Sequence, residues 1–210
     1  MITLNGILSL KKKLILIFTI LTISVIILFF NYHPIDVNDL KLHWKIWKFS
    51  DYPLLSGYRG ATFDGQFVYF APYQSNHGRH GFAVNYNTEL PFNDINSWNV
   101  FDTSKISPRA IGFQGVVYDK NYVYFIPYFT NEVNVGTVMI RYNIDLPFND
   151  VNSWDFYDGG FGAYEDGMAV DNYIYYSPHF DKAGNFNTIP LRYDTTKDFS
   201  DPTAWQEIKL

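Results

Sequence analysis

Three places in this chain that match one another in spacing hold three different polar side chains. Just before a glycine stand Arg59, Gln114 and Asp166, with Glu165 beside the last. A residue that repeats at a repeated place answers a structural need shared by every copy, whereas one that differs there is free to serve a ligand. A guanidinium, a carboxamide and two carboxylates together offer hydrogen bonds of both senses and charge of both signs, the equipment for holding a polar ligand. The adjacent carboxylates also raise hydrolysis of a glycosidic bond, which uses two carboxyl groups about 5 to 10 Å apart across a pocket. Arg59, Gln114, Glu165 and Asp166 form the candidate ligand-binding site.

Other chemistry-bearing residues read as structural. Asp64, Asp119 and Asp171 recur at one place, in tight turns where Asp tolerates the backbone angles and bonds its own main chain. Asp94, Asp150 and Asp201, in the FND or FSD segments, obey the same logic. His77, Arg79 and His80 lie in QSNHGRHG, but a spacing of three suits a helix face and no carboxylate motif accompanies it, so a solvated loop is expected and not a metal centre. His179 stands where the other copies have Tyr73 and Tyr128, as a packing substitute. The chain holds no Cys, which removes thiolate ligands, Cys nucleophiles and disulfides. It has no G-x-S-x-G, no H-E-x-x-H and no phosphate-cradling Gly-rich loop. No catalytic residue, metal or cofactor is assigned, and a non-enzymatic protein is expected.

The elements that position these residues come from a block written three times. GYRGATFDGQFVYFAPY closes with NYNTELPFNDINSWNVFD; GFQGVVYDKNYVYFIPY closes with RYNIDLPFNDVNSWDFYD; a looser third copy reads EDGMAVDNYIYYSPH and closes with RYDTTKDFSDPTAWQEI. Tyr86, Tyr142 and Tyr193 correspond, as do Trp98, Trp154 and Trp205. A glycine opens a short apolar run, which meets an Asp-containing turn and then an aromatic, β-branched run (FVYF, YVYF, YIYY) suited to a buried strand. That strand is expected to stop at Pro72, Pro127 or Pro178, because proline cannot donate to a ladder. A third strand comes next, and a fourth begins at the tryptophan. Four antiparallel strands repeating at this period mark a propeller blade.

The layout resembles the kelch-type β-propeller, in which a Tyr-Asp pair after the third strand and a Trp before the fourth recur in every blade. Arg141-Tyr142-Asn143 and Arg192-Tyr193-Asp194 with Trp154 and Trp205 carry the likeness, and Asn85-Tyr86-Asn87 with Trp98 matches the pattern less closely. The Gly-Gly pair of kelch repeats is replaced by Pro72-Tyr73, Pro127-Tyr128 and Pro178-His179. The resemblance covers residues 57–210 and implies an all-β fold, an incomplete β-propeller of three four-stranded antiparallel blades over 57–111, 112–160 and 161–210. It also implies that the first strand of each blade is innermost, so that the candidate site lines the mouth of the channel.

Before the repeats the composition changes. Lys11, Lys12 and Lys13 precede the uncharged run Leu14 to Phe30, 17 residues long, near the lower limit for a membrane-spanning helix. The lysines keep residues 1–13 cytoplasmic and send the chain beyond Phe30 across the membrane. The stretch after the run offers no small-residue cleavage site, which favours an uncleaved signal anchor over a removed signal peptide. Residues 31–56 read as a linker. Within it HWKIWKFSD resembles the tail of an earlier unit, since Trp44 lies 13 residues before Gly57 and Trp98 lies 14 before Gly112. It is expected to supply an orphan outer strand.

Of the 16 basic residues 13 lie after Phe30, against 21 acidic ones, so the exposed part is acidic and nucleic acid is excluded as a partner. Three blades do not close a ring of about 4 to 8, and two aromatic blade faces are left to be covered. Self-association, a partner protein, or truncation of a longer ancestral chain would each account for them, with truncation favoured. The expectation is a single-pass, membrane-anchored, extracytoplasmic binding module for a protein or glycan ligand. The alternatives are a carbohydrate-acting enzyme of the propeller type and a fragment without activity of its own.

Overall fold

The repeated Asp turns fold the chain back on itself at short intervals, and the result is all-β. The computed structural model describes residues 55–131 and 134–209. The expected cytoplasmic segment 1–13, the membrane helix 14–30 and the orphan strand at HWKIWKFSD lie outside the described residues. Among the described residues no helix is long and apolar enough to cross a membrane.

Sheet I contains β1 (Tyr58–Phe63), β2 (Phe67–Pro72), β5 (Phe82–Asn87) and β6 (Trp98–Asp102) in the order β1-β2-β5-β6, with a small hairpin of β3 (Gln74–Ser75) and β4 (Gly78–Arg79) inserted between its middle strands. Sheet II contains β7 (Phe113–Tyr118), β8 (Tyr122–Pro127), β9 (Val138–Asn143) and β10 (Trp154–Asp158), again in chain order. Sheet III contains β11 (Ala163–Val170), β12 (Tyr173–Phe180), β13 (Leu191–Asp194) and β14 (Trp205–Glu207). Every pairing is antiparallel.

Local chemistry explains the turns. Asp64 Oδ1 accepts from the backbone N–H of Gln66 and Phe67 at 2.8 and 2.6 Å, and its Oδ2 accepts the Tyr69 hydroxyl at 2.7 Å. Asp119 repeats this with Asn121, Tyr122 and Tyr124. Asp171 instead takes a left-handed φ of 51° itself, a conformation that Asp tolerates better than most residues. Before each fourth strand a 3-10 turn is capped by Asp94, Asp150 or Asp201, whose side chain accepts from the N–H two residues on. The indole N–H of Trp98, Trp154 and Trp205 then donates to the carbonyl of Phe92, Phe148 and Phe199, at 3.0 Å in all three. The repeated aspartates are therefore structural parts of turns and caps.

Two cores hold the three sheets in a stack. Tyr69, Ala71, Ala83 and Phe101 of sheet I pack with Val123, Phe125, Ile140, Tyr142 and Trp154 of sheet II. The opposite face of sheet II, with Val117, Tyr124, Ile126 and Met139, packs with Tyr164, Ile174, Tyr176, Tyr193 and Trp205 of sheet III. The first strands also meet, β7 lying against both β1 and β11. That approach needs small residues. A Cβ on Gly60 would sit 2.6 Å from the Gly115 Cα, closer than any side chain allows, so the β1 and β7 backbones come together only because both positions are glycine.

Two expectations are corrected. The second strand ends at Pro72 and Pro127 in sheets I and II, but in sheet III it runs through Pro178 to Phe180. Tyr164 pairs with Pro178 while Ala163 pairs with Phe180, which leaves His179 bulged; a bulge is one of the few strand positions where proline fits. QSNHGRHG is not a solvated loop but the β3–β4 hairpin, and His80 is buried. The His80 Nε2 lies 2.8 Å from the Ser56 carbonyl while Nδ1 accepts the Phe82 N–H at 3.3 Å. The ring is thus the neutral Nε2–H tautomer, and burial pushes its pKa down.

Candidate ligand-binding site

Each first strand carries one residue too many at its start. Tyr58 pairs with Pro72 and Ala61 with Phe70, Phe113 pairs with Pro127 and Gly115 with Ile126, and Tyr164 pairs with Pro178 and Asp166 with Ser177. Counting back from the prolines makes Arg59, Gln114 and Glu165 equivalent: each lies at a β-bulge, a place where sheets re-aim side chains. Asp166 is then the counterpart of Gly60 and Gly115, not of Arg59 and Gln114. Its carboxylate folds back, Oδ1 accepting from the Gly167 N–H at 2.8 Å and standing where a Cβ on Gly115 would come within 3.0 Å of it.

The three bulge residues join hands across the sheets. Arg59 Nη1 donates to Gln114 Oε1 at 2.8 Å, and Gln114 Nε2 donates to Glu165 Oε1 at 2.8 Å. The other carboxylate oxygen of Glu165 lies 2.6 Å from His179 Nδ1, an ion pair when the imidazole is protonated. That contact is short but not aligned as a hydrogen bond. The result is a ladder with a cation at one end, a carboxylate at the other and an amide that satisfies both.

An aromatic row runs beside the polar one. Tyr73, Tyr128 and His179, each directly after one of the three prolines, follow one another as tilted rings at 6.1 and 5.3 Å between ring centroids. Arg59 sits 4.0 Å over the Tyr73 ring and Arg79 sits 3.8 Å from the same ring centre, so the phenol makes cation–π contacts with two guanidinium groups. Burial, and after it the Glu165 carboxylate, raises the pKa of the Tyr128 hydroxyl. The sequence makes His179 a packing substitute and gives Tyr73, Tyr128 and Arg79 no part in the site; the structure sets them in one row beside it. The signal was present in the Pro-Tyr, Pro-Tyr, Pro-His series at one fixed distance from the site residues.

Arg59, Gln114, Glu165 and Asp166 line one pocket of about 430 Å³ together with Tyr58, Ala61 and Val116. All four residues singled out from the sequence thus come together where the first strands converge. A second pocket of about 350 Å³ opens between sheets II and III, where Arg141 Nε donates to Asp155 at 2.8 Å and the guanidinium lies 3.8 Å over Tyr122. Arg141 is buried and also donates to the Tyr193 hydroxyl at 3.0 Å, a set of partners that ties two sheets together. Among the described residues no group of His, Asp or Glu is arranged to hold a metal ion. No protein-family model matches the sequence, and no curated protein matches it.

Proposed function

We propose that this protein is a membrane-anchored, extracytoplasmic binding module of the kelch-like propeller type, which takes a polar protein or glycan ligand where its innermost strands meet. The observation that carries the reading is the line of Arg59, Gln114 and Glu165 around one pocket, three different side chains at one structural place. The turn aspartates, the strand tyrosines and the tryptophans recur in every copy because packing demands them; this position differs, and the differing groups offer donors, acceptors and both charges to a ligand. The glycine-lined convergence of β1 and β7 fits the innermost strands of propeller blades. The anchor reading rests on Lys11–Lys13 and the apolar run after them.

Binding without turnover is favoured over glycoside hydrolysis. Glu165 and Asp166 are neighbours on one strand, and the residues facing them in the pocket are Arg59 and Gln114, not a second carboxylate. A general acid and its partner must stand on opposite sides of the bond they cleave.

The test is a screen of the full chain in mild detergent against an array of defined oligosaccharides, then titration of the best ligand. Arg59→Ala is expected to weaken that binding at least tenfold with the fold intact by circular dichroism. Equal affinity for the parent and for the combined Arg59→Ala, Gln114→Ala, Glu165→Ala variant would remove this pocket from consideration.

A further inference from the structure

At one place in every sheet a polar side chain of the third strand bonds its partner on the fourth. Asn85 lies opposite Asn99 in sheet I, Arg141 opposite Asp155 in sheet II and Arg192 opposite Gln206 in sheet III, and each pair is joined by a side-chain hydrogen bond. Only sheet II makes that bond between opposite charges. The loop supplied by the following sheet changes in the same way. Asp198 and Ser200 flank Phe199 in sheet III, whereas Pro147 and Asn149 flank its counterpart Phe148 in sheet II. Neutral groups therefore suffice between sheets I and II, and stacking of sheets does not call for the charges gathered between sheets II and III.

Those charges line the second pocket, whose volume of about 350 Å³ lies in the range of small-molecule sites. Arg141 is 8% exposed, and two of its nitrogens are engaged, Nε with Asp155 and Nη1 with the Tyr193 hydroxyl. Its Nη2 has no hydrogen-bond partner among the described residues, yet it is not among the atoms sealed from solvent. On the other wall Asp198 Oδ1 accepts from the N–H and the hydroxyl of Ser200 at 2.8 and 2.5 Å. Those bonds, and more weakly the charge of Arg141, hold the Asp198 carboxyl below its usual pKa. Arg141 nonetheless forms its ion pair with Asp155 and not with Asp198. A buried cation thus keeps open donors in a gap bounded by two carboxylates.

Such a gap selects ligands by charge and by hydrogen-bond sense. An anion meets two carboxylates, and a cation is repelled by Arg141 and leaves its donors unanswered. A hydroxyl suits both walls, because it accepts from a guanidinium and donates to a carboxylate at once. Trp154, Phe156 and Phe199 complete the lining, apolar surface that suits the C–H face of a sugar ring. We propose that the pocket between sheets II and III is a second binding site, which takes a neutral sugar residue through Arg141, Asp155 and Asp198. The inference is independent of the first pocket and of its ligand.

Its test titrates the full chain, in a mild detergent without sugar head groups, with methyl glycosides of neutral hexoses and with the matching uronic acids and amino sugars. A neutral glycoside is expected to bind with a Kd of about 1 mM, the scale for a ligand of this size, and its charged relatives at least tenfold more weakly. Asp198→Asn retains an oxygen to accept from Ser200, and so keeps the loop, but puts donors where the second carboxylate oxygen stood. It should weaken the neutral glycoside at least tenfold with the thermal midpoint unchanged. The same variant should narrow the margin against the uronic acid, a change of preference that a merely structural role would not produce.

Absence of saturable binding by every neutral glycoside would overturn the proposal, as would equal affinity in Asp198→Asn and the parent. Binding lost in Arg59→Ala but kept in Asp198→Asn would move the sugar to the first pocket, refuting this site and supporting the earlier reading. Binding kept in the combined Arg59→Ala, Gln114→Ala, Glu165→Ala variant but lost in Asp198→Asn would support this site and count against the first.

Discussion

Gln114 serves the site with both ends of one carboxamide, accepting from Arg59 and donating to Glu165. A carboxylate in its place keeps the first bond and sets like charges against each other in the second. Gln114→Glu is therefore expected to weaken ligand binding about tenfold or more while changing stability by less than about 1 kcal/mol, since these groups are exposed and their pairing is screened; titration and chemical denaturation measure the two effects. Asp119 is the opposite case. Its carboxylate takes the hydroxyl of the fully buried Tyr124 and two backbone donors of the turn, and Asp119→Ala strands that hydroxyl, a loss of about 1–3 kcal/mol in denaturant unfolding with ligand binding retained. His80 carries a pH dependence. Burial lowers its folded pKa, so the unfolded chain binds the proton more readily. The neutral ring's contribution to stability is complete above the unfolded value of about 6.5 and fades as pH falls toward the folded value. Thermal midpoints measured from pH 7.5 to 5 should decline more gently in His80→Gln than in the parent.

The strands depend on glycine for their convergence and on tyrosine for their interior. Gly60→Val would drive a branched side chain into the Gly115 backbone and separate β1 from β7, costing about 1–3 kcal/mol or more in unfolding experiments and breaking the Arg59–Gln114 bond with it. Burial raises the pKa of Tyr142 and Tyr193 to about 12 and also raises those of Tyr69, Tyr124, Tyr164 and Tyr176. A folded pKa above the unfolded value of about 10 means a contribution that is whole below pH 10 and lost as pH rises through 12. Absorbance at alkaline pH should thus show the interior phenols ionising together with unfolding, not one by one near pH 10. Much of this element plan could be read from letters alone: the strands from FVYF, YVYF and YIYY, the turns from Asp64 and Asp119, the fourth strands from the three tryptophans. The bulges could not, because an extra residue breaks the alternation that identifies a strand. In sheet III an aspartate replaces the glycine, so matching letters placed Asp166 opposite Arg59, one residue from its true counterpart Glu165. The β3–β4 hairpin escaped for a similar reason, being two residues per strand.

At the scale of the molecule, the three stacked sheets place on one pocket residues that are 106 positions apart in the chain, Arg59 and Glu165. No local signal encodes that meeting. It arises from repetition, since equal units stacked in order bring equal positions to one axis. The acidic balance of the residues beyond Phe30 and the oxygen-rich and nitrogen-rich rim suit a polar ligand approached from solvent. The central claim is this meeting of bulge residues, and thiol bridging in the Cys-free chain tests it most directly. In the variants Arg59→Cys with Gln114→Cys, and Gln114→Cys with Glu165→Cys, a short bifunctional reagent should link the two thiols within one molecule. Full reaction of each thiol with no internal bridge in either variant would contradict the account.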